Sequence, residues 1–228
     1  MKTLPISLAL LLIFCFPVHA DDDLNYHLVN LQADASQQVD NNLQIVLLTA
    51  AAENAAAQEA AASVNKAMTR AVTMIKENDD VTYQTLNYQT TPLYKNRAII
   101  GWQVSQQIRL ESQNIEGLTT LVGRLQEVLT VASMHFTASP ERRKETQTLL
   151  IGEALTAFTA KARLVATTLG AQDFRLVNLT INEGGGMPIR HAYAMEMDAL
   201  RAAAPAPEVA AGESSITVSV NGTIQLIF

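Results

Sequence analysis

Met187, His191, Met195 and Met197 stand close together in the sequence and carry the right atoms to hold a soft metal ion. Thioether sulfur and imidazole nitrogen suit Cu(I), and the spacing of four between His191 and Met195 would put both on one face of a helical turn. One function follows from this: a binding module that sequesters a small ligand or soft metal through residues 187–197. The competing use of the same residues is apolar packing, the ordinary employment of methionine, and on that reading the metal site is none and no cofactor is expected.

Hydrolytic chemistry asks for a nucleophile, a base within hydrogen-bond reach and a group to orient that base. His27, His135 and His191 are the histidines beyond the first twenty residues, and none accompanies a nucleophile-elbow pattern. His27 and His135 fall inside expected strands, as pleat positions rather than bases. No catalytic residue is assigned, and the protein is expected not to be an enzyme. Gly184-Gly185-Gly186 lacks the spacing and the following lysine of a phosphate loop and is expected to be a flexible turn. Arg142-Arg143-Lys144 is the one cationic cluster, read as a solvated helix face. Tyr83, Tyr88, Tyr94 and Trp102 lie on two neighbouring strands without interleaved cations, which favours cross-strand packing over a stacking platform. A net charge of −6 argues against binding of nucleic acid, whose recognition needs clustered lysine and arginine.

The chain that must position these groups has 228 residues, 48% of them hydrophobic and 17% charged, the proportions of an ordinary globular protein. Its first twenty residues read as a signal peptide. Lys2 supplies a positive charge, Leu4 to Phe16 an apolar run, and Val18-His19-Ala20 a small-residue site ahead of Asp21-Asp22-Asp23. The run is shorter than the roughly 20 residues of a membrane-spanning helix. Cys15 sits between Phe14 and Phe16, not after a small residue as lipidation requires, and cleavage after Ala20 would remove the chain's single cysteine. The expected location is therefore periplasmic or secreted, with no stable membrane insertion of the mature chain. Residues 21–228 are expected to form a single domain, with 182–213 as a long surface crossing.

Period-two alternation marks strands from Tyr26 to Ser36, from Leu43 to about Ala51, and most clearly over Ile100 to Leu110. Val81 to Tyr94 is a fourth, with a phase shift between Tyr83 and Leu86 that suggests a bulge and with Pro92 favouring an edge. Val64, Met68, Ala71 and Ile75 form one helical stripe, and Ile115, Leu118, Leu121, Leu125 and Val128 another. Met134 to Ala138 is a short strand leading into Ser139-Pro140-Glu141, a helix start with a capping hydroxyl and proline in the first turn. The long helix that follows shows Ile151, Leu155, Phe158, Ala162, Val165 and Leu169 as its stripe, and Phe174 to Ile181 returns as a strand. Asn221-Gly222 signals a hairpin, but a reversal there would pair apolar with polar residues. A single strand keeps Ile216, Val218, Val220, Ile224, Leu226 and Phe228 on one face, so one strand to the C-terminus is expected, with Gly222 at a bend or a close approach.

The order of elements resembles the SIMPL-domain family of secreted bacterial proteins over nearly all of the mature chain. Its marks are Tyr83-Gln84-Thr85-Leu86, Pro92-Leu93-Tyr94 and Ile100-Gly101-Trp102-Gln103-Val104-Ser105, then Ala160-Lys161-Ala162 leading to Leu169-Gly170, and Ala211-Gly212-Glu213 before the terminal strand. Val39-Asp40 departs from the Pro-Asp usual before the second strand. The resemblance implies an α+β fold of mostly antiparallel sheet, built from two strand-strand-helix units, a strand-helix-strand unit and a long C-terminal strand. It also implies a homo-oligomer, ring-like or channel-like in some members, and an envelope or oxidative-stress role. It brings no agreed active site.

Overall fold

The computed structural model describes residues 26–188 and 211–228. The expected signal peptide, most of the expected crossing, and His191, Met195 and Met197 lie outside the described residues. The elements run β1 (Leu28–Asp40), β2 (Leu43–Asn54), α1 (Ala57–Ile75), β3 (Thr82–Lys95), β4 (Ala98–Ser112), α2 (Ile115–Leu125), β5 (Thr130–Thr137), α3 (Pro140–Thr168), β6 (Asp173–Pro188) and β7 (Glu213–Ile227). The fold is α+β, as the sequence implied. The strands form two antiparallel sheets, ordered β3-β4-β2-β5 and β1-β7-β6. β1 and β2 are neighbours in sequence yet belong to different sheets.

The four-stranded sheet buries one face under α1 and α2. Val46 and Leu48 of β2 and Val104, Ile108 and Leu110 of β4 are removed from water, opposite the α1 stripe Ala60, Val64, Met68, Ala71 and Ile75 and the α2 residues Leu118, Leu121, Val122 and Leu125. The α1 stripe matches the sequence spacing; of the α2 stripe Leu118, Leu121 and Leu125 are buried as expected, whereas Ile115 is half-buried, Val128 lies beyond the helix and Val122 joins the buried face. Asn114 caps α2, its Oδ1 accepting from the Gly117 N–H at 2.9 Å. β3 is an edge strand, as Pro92 suggested, and its bulge lies two residues beyond the expected place, between Thr85 and Tyr88. Ile100 departs from expectation. It shares the parity of the buried residues of β4 but is exposed, because β2 ends with Asn54 opposite Trp102 and the hairpin runs on past the sheet.

The three-stranded sheet packs on α3. β7 is its centre, paired with β1 from Leu28↔Gln225 to Asp40↔Glu213 and with β6 from Asp173↔Ile227 to Pro188↔Ser214. Its 15 residues span about 50 Å at about 3.3 Å each. Ile216, Val218, Val220 and Ile224 are fully buried on one face, so the single-strand reading holds and Asn221-Gly222 makes no reversal; Phe228 alone of the six stays exposed. Gly222 is there for proximity. A Cβ at that position would stand 2.7 Å from the Asn178 carbonyl oxygen and 2.9 Å from Cζ of Phe158.

Two expectations for this half are corrected. The buried line of α3 is Thr146, Leu150, Ala154, Phe158, Ala162 and Ala166, spaced by four, while Ile151, Leu155 and Val165 are half-buried and Leu169 is exposed. A spacing of four drifts around the helix, and such an oblique ridge of small residues lets α3 cross a twisted sheet closely. Gly184-Gly185-Gly186 is not a turn: β6 continues through Pro188 and absorbs one extra residue between Gly184 and Met187 as a bulge. Residues 182–188 of the expected crossing are therefore strand.

The two sheets have separate cores, and residues 43–137 form a unit inserted between β1 and α3. The chain passes between them at Asp40–Leu43 and Thr137–Pro140, where amide side chains tie the strands together. Asn42 Oδ1 accepts from the Ser139 N–H at 2.7 Å, and Asn42 Nδ2 donates to Ser139 Oγ at 3.2 Å. Asn41 Oδ1 accepts from Ser214 Oγ at 2.6 Å, and Asn41 Nδ2 donates to the Ala211 carbonyl at 2.8 Å. Asn41, Ser139 and Ser214 are buried and Asn42 half-buried, so the polar groups of the three buried residues must find partners.

Candidate functional site

Three places on this scaffold offer chemistry or contact: a cleft beside the junction, the tip of the β3–β4 hairpin, and the free edge of β6. The cleft, about 400 Å³, lies between the start of α3 and the four-stranded sheet, lined by Asp80, Thr82, Glu111, Gln113, Asn114 and Glu141 among others. Two of its three carboxylates already have partners. Asp80 Oδ2 accepts from Asn114 Nδ2 at 2.7 Å, and Glu111 pairs with Arg109 at 2.8 Å. Ser112 Oγ donates to the Asp80 carbonyl at 2.8 Å, fixing the wall of the cleft rather than presenting a nucleophile. Among the described residues, no three His, Cys, Asp or Glu side chains gather as a metal ion would require.

The residues singled out from sequence are dispersed. Met187 lies in the last turn-free stretch of β6, opposite Ser215 of β7; the other three members of its candidate set lie outside the described residues. His27 precedes β1 with a positive φ of 62°, its ring 4.7 Å from that of Phe228. His135 is exposed on β5 opposite Ile45. The structure does not bring these two together with a nucleophile. Arg142 and Arg143 are more engaged than a solvated face implies: Arg142 Nη1 donates to the Asp40 carbonyl at 3.3 Å and Arg143 Nη2 to Thr137 Oγ1 at 3.1 Å, both at the junction. Of the four aromatics, Tyr83 packs against the core and Trp102 is half-buried opposite Pro92, whereas Tyr88 and Tyr94 are exposed. Cross-strand packing therefore accounts for only part of the group.

One ionisable group on the sheet face is tuned. Hydrogen bonds from Ser219 first and Gln32 second hold the Asp34 carboxyl below its usual 3.8, desolvation opposes them, and a still weaker attraction to Lys161 adds to the lowering. Lys161 itself donates from Nζ to the Gln32 carbonyl at 2.6 Å. The tuning comes mainly from a cross-strand contact between β1 and β7, at the surface.

Sequence reasoning missed the hairpin tip and the β6 edge. At the tip, Asn96 and Arg97 both have positive φ, 47° and 67°, and join Lys95 to Ala98 as a two-residue turn of the type that follows strand twist. Tyr94, Ile99 and Ile100 are exposed around it. The legible signal was the two-residue spacing between alternating runs. On β6, an edge strand, Leu176, Val177 and Ile181 are exposed, and the extra residue Val177 breaks the register while Asn178 Oδ1 accepts from the Thr223 N–H at 3.0 Å.

Comparison with known proteins gives one family: the model described as "SIMPL: Protein of unknown function (DUF541)" matches residues 29–224, from within β1 to within β7. No curated protein matches the chain.

Proposed function

Because the chain belongs to the SIMPL family, we propose for it a non-catalytic role in the bacterial envelope, exercised in the periplasm or outside the cell by self-assembly into a homo-oligomer. What supports this reading is the edge of β6. A strand of 16 residues with Leu176, Val177 and Ile181 in water offers backbone donors and acceptors together with apolar surface, the combination that invites strand pairing with another chain. A part in tolerance of oxidative stress belongs to the same reading, through the family resemblance.

Light scattering of the purified protein tests it. An assembly should give a mass several times that of one chain, 24.7 kDa with its leader, and negative-stain images should show closed particles. Val177→Lys with Ile181→Lys should shift the population toward monomer without unfolding, since the two residues are 50% and 39% exposed. A strict monomer at high micromolar concentration overturns the proposal.

A further inference from the structure

The geometry points to the tip of the β3–β4 hairpin as a docking element for an anionic lipid surface. β2 stops opposite Trp102, so residues 93–101 form a two-stranded ribbon that continues beyond the four-stranded sheet. Its end carries Tyr94, Ile99 and Ile100, exposed by 63%, 50% and 57%. Tyr94 stands directly opposite Ile99, and Ile100 is the extra residue of a register shift on β4, so the three share one small apolar tip. Single exposed apolar residues need no explanation; three around one turn do.

Charge supplies the identity of the partner. The chain as a whole is at −6, yet no carboxylate occurs from Val81 to Leu110, where Lys95, Arg97 and Arg109 are the only charges. Lys95 precedes the turn and Arg97 lies within it, and neither makes an ion pair among the described residues. The nearest acid on the adjoining strand, Glu53, stands opposite Gln103, outside the 93–101 ribbon, and accepts from Gln103 Nε2 at 3.0 Å. Arg97 also occupies a left-handed position that glycine would fill with less strain, so local turn stability does not account for it. Cations beside tyrosine and isoleucine match an anionic bilayer in depth: the cations meet lipid phosphate, the tyrosine sits at headgroup level, and the isoleucines reach the acyl boundary. Nucleic acid would use the cations but leave Ile99 and Ile100 in water. This is surface contact, not a span.

The experiment uses the full protein and vesicles of phosphatidylcholine alone or mixed equally with phosphatidylglycerol. Trp102, the chain's only tryptophan, lies at the base of the ribbon and reports contact by its emission and by quenching from brominated lipid. The protein should float with the anionic vesicles and not with the neutral ones. Lys95→Gln with Arg97→Gly should weaken partition about 25-fold, from about fivefold for each cation. Arg97→Gly alone should weaken it about fivefold while leaving the melting temperature equal or higher, which separates lipid contact from folding. Ile99→Ser with Ile100→Ser should abolish the brominated-lipid quenching. Equal binding to both vesicle types, no binding to either, or retention by the charge variants would overturn the proposal.

Discussion

Replacing Gly222 with alanine should destabilise the three-stranded half of the protein. The new Cβ would meet the Asn178 carbonyl oxygen at 2.7 Å, Cζ of Phe158 at 2.9 Å and Cδ1 of Leu179 at 3.0 Å. The leucine end can swing away. The carbonyl belongs to the backbone of β6, and Phe158, 4% exposed, is held in the α3 ridge, so both must shift. Overpacking of this kind costs about 1–3 kcal/mol, offset by about 0.5–1 kcal/mol because glycine is a poor strand residue. At the middle of both ranges the net loss is about 1 kcal/mol, or a fall in melting temperature of about 2–4 °C for a chain of this size. Urea titration followed by far-ultraviolet circular dichroism measures it. Gly152→Ala is the internal control: no atom outside its own helix lies within 4 Å of its Cβ position, so the same substitution in α3 should stabilise by about 0.5–1 kcal/mol. Adding Phe158→Leu to Gly222→Ala should recover part of the loss by clearing one of the two fixed contacts. A Gly222→Ala protein as stable as the parent would mean that β7 and α3 do not approach as closely as argued.

Asn42→Ala removes the acceptor of the Ser139 N–H inside a buried junction and should cost about 1–3 kcal/mol in chemical denaturation, with Asn42→Asp recovering part; a loss below about 0.5 kcal/mol would show that water replaces the amide. Asp34 has a folded pKa below its unfolded one, so the stability it contributes is present above about pH 4 and is lost as pH falls through the folded value. The difference between parent and Asp34→Asn should therefore shrink on acidification below pH 4, and a constant difference from pH 7 to pH 2 would contradict the assignment. Deleting Thr223 to Phe228 takes Ile224 and Leu226 from the core, about 1.5–3 kcal/mol each, and uncovers the start of β1 and β6; aggregation or loss of assembly is expected, and a soluble product with unchanged melting temperature would contradict it.

The sequence carried most of the elements, and the reasons for its failures are specific. Strict alternation made β7 legible even across Asn221-Gly222, and the α1 stripe was legible because Val64, Met68 and Ile75 are the larger residues of that helix's inner face. In α3 the same habit of favouring large residues misled, since the face nearest the sheet is chosen for smallness: Ala154, Ala162 and Ala166 admit the backbone of the sheet, and Leu149 and Leu164 remain in water. The glycine triplet has poor strand propensity by itself and is strand only because β7 offers a partner along its length. The division into two cores depends on β1 choosing β7 over its sequence neighbour β2, a long-range pairing with no local signature. The exposure of Ile100 was hidden because its parity is that of the buried residues of β4, and only the end of β2 tells where burial stops.

A chain that emerges from its N-terminus presents β1 at the outset and β7 near the finish, with residues 41–212 between the partners. The inserted unit, residues 43–137, holds both its sheet and its covering helices within itself and can close early. The other half cannot, because its central strand arrives after both of the strands that flank it. Until then β1, β6 and the inner ridge of α3 face water without the residues that will cover them, and pairing across so long a separation is slow. The interval is a window of vulnerability, in which any other chain able to donate a strand competes with β7 for the waiting edge of β1.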